Sequence, residues 1–457
     1  MSNIAENTVE TEIGQVESGF RREAGSAGLL DRYFGLRERG TSVKTEVIAG
    51  VTTFLTMAYI IFVNPNVLSA AGMDHGAVFV ATCLAAFIGC LIMGLYANYP
   101  IALAPGMGLN AFFTYTVVGE MGYTWQVALG AVFLSGTIFL TLSIFKIREW
   151  VINSIPLSLR HALAAGVGLF LAIIALKTSG IVVASPATLI TLGDLTSTGP
   201  MLTIISFLTI SVLTHRKIPG AVMVGILVST VISLMLGVSH FTGVVAAPPS
   251  IMPTLGQLDI AGAFNVGMIS IIFAFLFVDL FDTAGTLLGV AQRANLMDET
   301  GKMPGMGRAL MADSTASITG SLMGSSTTTS FVESTAGIAA GGRTGLTAVV
   351  CGFLFLLCMF FSPVAGMVPG FATAGALLFV AVLMTQSLAE IAWDDITEAA
   401  PAVVAAIMMP LSFSIANGIA LGFITYTVIK VASGRYQDVS ISAFVLSGLF
   451  IAKFVFL

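Results

Sequence analysis

Two aspartates three residues apart, Asp279 and Asp282, stand inside the apolar run FAFLFVDLFDTAGTLLGVA (residues 273–291). That spacing puts both on one face of a helix. A charge inside such a run is costly enough that its default reading is functional. A third carboxylate, Glu333, follows the polar tract SSTTTS (residues 325–330). Placed in a membrane, a carboxyl of this kind has two uses. It can accept a ring N–H from a substrate, or take up a proton on one side and release it on the other, which makes it a coupling device. Asn110, in APGMGLNAFF (residues 104–113), adds an amide that both donates and accepts. Phe112, Phe113 and Phe331 flank the two polar segments and can stack on a flat ring, although with 32 Phe in the chain each is as readily core. The expected substrate contacts are therefore Asn110, Phe112, Asp282, Thr328, Phe331 and Glu333, with Asp282, Glu333 and Asp279 as proton-coupling groups. Asp279 has a competing reading, as a hydrogen-bond partner of a neighbouring helix.

These side chains need a scaffold that crosses lipid. Only 9% of the 457 residues are charged, against about 25% in soluble domains, and 56% are apolar, with mean hydropathy +0.97. Those numbers exclude both a water-soluble globule and a disordered chain. A span needs about 20 apolar residues, and the hydropathy pattern places spans at roughly 46–68, 77–98, 103–121, 126–145, 160–178, 199–215, 221–238, 265–290, 308–323, 328–341, 345–366 and 371–389. Residues 400–432 read either as two spans or as one helix broken near Pro410, and 441–457 is a final apolar segment, for a total of 13 or 14. Residues 1–27 read as a disordered tail, and 28–45 as an amphipathic segment on the membrane surface.

Lys and Arg set the orientation. The N-terminal Arg21, Arg22, Arg32, Arg37, Arg39 and Lys44 are matched at alternate joints by Lys146, Arg148 and Arg160, by Arg216 and Lys217, by Arg293, Lys302 and Arg308, by Arg343, and by Lys430 and Arg435. The expected N-terminus is cytoplasmic. Lys177 and Glu120 are placed to snorkel at span ends. Arg308 and Asp313 are expected near the cytoplasmic end of the ninth span, in a solvated or paired structural role. His75, His161, His215 and His240 are scattered near span ends, and Cys83, Cys90, Cys351 and Cys358 lie within apolar runs, so neither a metal site nor a disulfide framework is expected. No cofactor, catalytic residue or nucleic-acid partner is expected.

Two spans depart from an ordinary helix, and they occupy matching places. The third contains Pro105, Gly106 and Gly108; the tenth contains GSSTTTSFVESTAGIAAGG (residues 324–342). Interrupted segments at corresponding positions in two halves point to a transporter site built from inverted repeats. Third and tenth are seven apart, and an odd repeat length forces the halves into opposite senses. We therefore expect an all-α polytopic protein in an inverted seven-plus-seven repeat, with halves at 46–240 and 262–457. The β-branched Thr327 to Thr329, and residues 110–113, are the expected extended pieces. They would pair, each ahead of a half-helix whose N–H groups, near residues 111–113 and 328–331, face the site.

The segments EVIAGVTTFLTMAYIIFVNP, APGMGLNAFF, LFDTAGTLLGV and SSTTTSFVESTAGIAAGGRTGLTAVV together resemble the purine-permease (AzgA-like) branch of the nucleobase–cation symporter family, the bacterial adenine permeases in particular. The likeness runs from residue 28 to near the C-terminus. It implies fourteen segments divided into a core domain (segments 1–4 and 8–11) and a gate domain (segments 5–7 and 12–14). It also implies a homodimer in the inner membrane and proton-coupled uptake of a purine, with Asn110, Asp282 and Glu333 at the site between the third and tenth segments. A guanine/hypoxanthine permease of the same family is the alternative. An anion transporter or channel is disfavoured by a site of acids without a base, and an enzyme by the want of a nucleophile–base pair or clustered metal ligands.

Overall fold

A computed structural model describes residues 28–145, 156–293, 296–297 and 303–456. The expected tail (1–27) and Lys146, Arg148 and Lys302 lie outside the described residues. Among these residues nine helices are long and apolar enough to cross a membrane, and Ala221–Met235, Ile396–Leu411 and Ile441–Val455 are shorter apolar helices.

The packing has the symmetry of an inverted repeat. The first span (Val43–Ser69) lies on the eleventh (Gly345–Met367), as the eighth (Val266–Arg293) lies on the fourth (Trp125–Ile144). The fifth span (Leu157–Thr178) packs on the twelfth (Gly370–Glu390) and thirteenth (Ile396–Leu411), as the twelfth packs on the fifth and sixth (Thr198–His215). The doubtful stretch 400–432 is two helices. The thirteenth ends at Leu411, just past Pro410, and the fourteenth (Ile415–Ala432) folds back along it. The final helix (Ile441–Phe456) follows the fourteen and lies against the last of them.

At the heart of the structure the third and tenth spans stop being helices. Leu103–Pro105 and Thr328–Ser330 form a two-stranded antiparallel sheet in the register Leu103↔Ser330, Ala104↔Thr329 and Pro105↔Thr328. The pairing continues at both ends, with the Gly106 N–H on the Thr327 carbonyl (2.9 Å) and the Phe331 N–H on the Ala102 carbonyl (3.0 Å). Irregular backbone away from water survives only when its polar groups are satisfied in this way. In the third span the extended piece is thus 103–105, not 110–113. Pro105 has no N–H to give a helix, and helix resumes at Met107, so residues 110–113 are helical. Gly106 allows the approach: a Cβ there would stand 2.8 Å from the Thr329 methyl carbon.

Two polar clusters pin the surrounding helices. Buried Glu46, on the first span, accepts the N–H groups of Arg343 (2.8 Å), Thr344 (3.3 Å) and Thr347 (3.2 Å) and the Thr347 hydroxyl (2.6 Å). It thereby caps the eleventh span with a negative charge where the helix dipole favours one. Where the thirteenth span begins and the fourteenth ends, Lys430 is 1% exposed and pairs with Glu398 at 2.7 Å, while Arg435 bridges Asp395 (2.6 Å) and Asp438 (2.8 Å).

Asp395 caps the thirteenth span. Its carboxyl is held well below the usual carboxylate range, chiefly by the Thr397 hydroxyl (2.7 Å), then by Arg435 and the Thr397 N–H. A depressed folded-state pKa stabilises above the unfolded value and is lost as pH falls. Asp395→Asn is therefore expected to melt below the parent protein at pH 7, with the gap closing below about pH 4. Thermal unfolding in detergent across pH 3–8 measures this.

Candidate functional site

The strand pair leaves two helix starts facing one region. In the third span the helix begins at Met107, and the first intrahelical bond runs from the Asn110 N–H to the Gly106 carbonyl (2.9 Å). The N–H groups of Met107 to Leu109 therefore lie ahead of the ladder. They replace those of 111–113, which the helix consumes. In the tenth span the turn at Phe331–Glu333 leads into the half-helix Ser334–Ala339.

The four acids of this region fall into two classes. Asp282 is exposed on its face of the eighth span, and a Cβ at Gly285 or Gly289, one and two turns on, would meet nothing within 4 Å. Glu333 is half-buried, and its Oε1 accepts the Tyr59 hydroxyl at 2.6 Å. Asp282 and Glu333 are near enough for their charges to interact. No Lys or Arg among the described residues forms a salt bridge with either. Asp279 and Asp313 are sealed behind them, at 2% and 0% exposure.

Hydroxyls surround the sealed pair. Asp279 accepts the Ser317 hydroxyl (3.1 Å), which also reaches the Thr328 carbonyl (2.8 Å). Asp313 accepts from Thr283 (2.7 Å) and from Ser330 (2.8 Å), one at each oxygen. Thr283 also lies 2.8 Å from the Thr329 hydroxyl, a contact in which either oxygen can donate. The ninth span, the eighth span and the strand are stitched into one body by these bonds.

Asn110 is 1% exposed and donates through Nδ2 to Asn64 Oδ1 at 2.5 Å. Asn64 in turn donates to Thr82 (2.8 Å) and Ser325 (3.2 Å). The Asn110 Oδ1 is buried without a partner, which is expensive unless something arrives to use it. Phe112 is fully buried, edge-on to Phe275 with centroids 5.1 Å apart. Phe331 is 6% exposed beside the strand. The Thr328 side chain packs between Gly89 and Gly320, and its hydroxyl has no partner.

Asp313, expected in a solvated or paired structural role near the cytoplasmic end of the ninth span, is paired, with Thr283 and Ser330, but fully buried. Two participants escaped the sequence reading. Tyr59 continues the three-residue spacing of Thr53 and Thr56. Asn64 stands before Pro65 in the middle of a helix, and nothing in its spacing marked it. No group of three or more His, Cys, Asp or Glu able to hold a metal occurs among the described residues.

Residues 44–421 match the family profile Xan_ur_permease, described as "Permease family". The chain is 54% identical over 430 residues to "Adenine permease AdeP" of Escherichia coli (strain K12), covering 94% of this chain and 97% of that protein. It is 47% identical over 440 residues to "Guanine/hypoxanthine permease PbuG" of Bacillus subtilis (strain 168), covering 94% and 100%. Among solved structures it resembles the transmembrane domain of the cyanobacterial bicarbonate transporter BicA, with TM-score 0.61 at 16% identity over 83% of this chain and 97% of that one.

Because Asp313 accepts the protons of two buried hydroxyls, truncating it removes that acceptor from both. Asp313→Ala is expected to destabilise by about 2–6 kcal/mol, at 1–3 kcal/mol for each of the two groups. Asp313→Asn, which keeps an acceptor and lets the hydroxyls rotate, is expected to recover more than half of that. Thermal unfolding of the two variants in detergent makes the comparison.

Proposed function

We propose, for a chain that belongs to the Xan_ur_permease family, that it imports purine nucleobases, adenine first, in symport with protons. The observation that carries this reading is the pair Asp282 and Glu333: accessible and without a salt-bridge partner among the described residues, beside paired strands and two helix starts. Such a site offers acceptors for ring N–H groups, and N–H donors for ring nitrogens. Glu333 binds the N–H edge of the purine, and Asp282 shares with it the proton that is carried. Asn110, with its unused Oδ1, and the N–H groups of Met107 to Leu109 read the remaining ring atoms. Phe112 and Phe331 form the walls against which the ring stacks, and Thr328 contributes through its place in the strand. Asp279, sealed behind, is the third proton-coupling group.

Adenine is preferred because AdeP, at 54% identity, carries that substrate in its name, whereas PbuG, named for guanine and hypoxanthine, stands at 47%. On this reading the repeats are 46–240 and 262–457, and the core (segments 1–4 and 8–11) moves against the gate (segments 5–7 and 12–14). Binding at the repeat interface with rigid-body exchange between two openings is the established logic of such folds. The protein sits as a homodimer in the inner membrane with its N-terminus in the cytoplasm, the side to which the Lys and Arg of alternate joints assign it. The fold it shares with a bicarbonate transporter permits an anion substrate, but acids at the site would repel one.

Proteoliposomes with an imposed pH gradient test the reading. Labelled adenine is expected to accumulate, with hypoxanthine and guanine competing weakly and uracil not at all. Glu333→Gln is expected to abolish gradient-driven accumulation. Asp282→Asn is expected to raise KM at least tenfold, the worth of a hydrogen bond to a charged group, about 1.5–3 kcal/mol. Wild-type accumulation by Glu333→Gln would remove the coupling role, and preferential competition by guanine would reassign the substrate.

A further inference from the structure

The bond between Tyr59 and Glu333 has no part in the scheme above, yet it is built with care. Tyr59 is fully buried and stands where the first span is interrupted, between the helices Val43–Met57 and Ile60–Ser69. Its own backbone is fixed, since its carbonyl accepts both the Phe62 N–H (3.0 Å) and the Val63 N–H (3.1 Å). The same face of the span is pressed onto the tenth. The Thr56 hydroxyl approaches the Glu333 carbonyl at 3.4 Å. A Cβ on Gly337 would stand 2.6 Å from the Ala49 carbonyl oxygen. Ala49, Thr53, Thr56 and Tyr59 thus form one continuous contact with the half-helix, and Glu333 is at its head.

We infer that Tyr59 is a positioning residue for the site carboxylate: its hydroxyl holds Oε1 of Glu333, so that Oε2 alone meets the ligand. A glutamate has three side-chain torsions, and fixing them only on binding costs affinity. An anchor already in place removes that cost. The anchor works in either protonation state. With Oε1 accepting from Tyr59, the proton of the neutral carboxyl resides on Oε2, the atom that also meets a ring N–H when ionised. Proton and nucleobase are thereby brought to one oxygen, whose position is set by the break in the first span. This inference rests on the reading of Glu333 as the group that grips the ring.

Tyr59→Phe removes one oxygen and keeps the ring that fills the break. Equilibrium binding of labelled adenine to the purified full-length protein is the measurement, alongside melting. Tyr59→Phe is expected to melt within about 3 °C of the parent, to weaken adenine binding about tenfold, and to raise KM for uptake while Vmax stays within twofold. In a Glu333→Ala background, which leaves the Tyr59 hydroxyl without its acceptor, the same change is expected to alter Kd by less than twofold, because the two residues act as one unit. If that background binds too weakly to titrate, Glu333→Asp takes its place, with a carboxylate one methylene too short to reach Tyr59. An unchanged Kd for Tyr59→Phe, or an equal penalty in both backgrounds, would overturn the inference. Parent-like adenine binding by Glu333→Gln would instead overturn the reading of Glu333 itself.

Discussion

Everything at the centre of this protein depends on six residues of β-structure. In a bundle surrounded by lipid, a helix can be interrupted only if the freed N–H and C=O groups find partners at once. Leu103–Pro105 and Thr328–Ser330 are those partners for each other. Each strand alone would be an unsatisfied gap; together they let two spans begin helices in the interior of the molecule. The helix starts, the acids on neighbouring spans and the side chains around them are arranged about that pair. Close approach is a condition of the pairing, which is why small residues meet it on several sides: Gly106 against Thr329, and Gly89 and Gly320 against Thr328.

The acids around the pair show how charge is rationed. Asp279 and Asp313 are closed off: both oxygens of Asp313 accept hydroxyls, from Thr283 and Ser330, and one oxygen of Asp279 accepts that of Ser317. Hydroxyls serve this purpose well, because each rotates to donate to a carboxylate or to accept from a carboxylic acid without moving a heavy atom. Asp282 and Glu333 are instead accessible and only partly satisfied. Energetically the two arrangements are opposites. A satisfied buried group adds rigidity, whereas an accessible, unpaired one is held at a cost that a ligand or proton can relieve. The division makes Asp313 part of the frame and Asp282 and Glu333 the leading working groups of the proposed function, with Asp279 behind them.

Much of this was legible in the sequence because lipid imposes long-period rules. Apolar runs marked the spans, and the matched interruptions at 104–113 and 324–342 marked the repeat. What escaped was short-range. The strand of the third span falls at Leu103–Pro105, where nothing is β-branched, because its conformation is imposed by its partner across the bundle. β-propensity mostly reflects such context, so the extended piece was expected at 110–113 instead. The full burial of Asp313 did not show, because distance along a span does not tell whether a helix end is wet. Asn64 and Tyr59 lie in a span that reads as ordinary, and their partners are 46 and 274 residues away. No local pattern encodes contacts of that range.

The first span emerges as more than a wall. One face of it meets the eleventh span through Glu46, whose carboxylate holds the start of that helix. Its middle face is locked onto the half-helix of the tenth through Gly337, and its far half carries Asn64 into the Asn110 cluster. A rigid-body rearrangement requires that the moving parts stay internally fixed while the contacts between bodies change. The contacts that tie the first, third, ninth and tenth spans together are hydrogen bonds between buried polar groups, at 2.5–3.2 Å. The contact between the third span and the turn ahead of the fourteenth is a single side-chain bond, from Thr116 to the Phe413 carbonyl at 2.6 Å, and among the described residues the fifth span meets this region through apolar packing. Apolar faces slide at small cost because their attraction has no direction, whereas buried polar bonds do not. On the proposed function, the rearrangement would run along the apolar contacts rather than through the hydrogen-bonded body of the first, third, ninth and tenth spans.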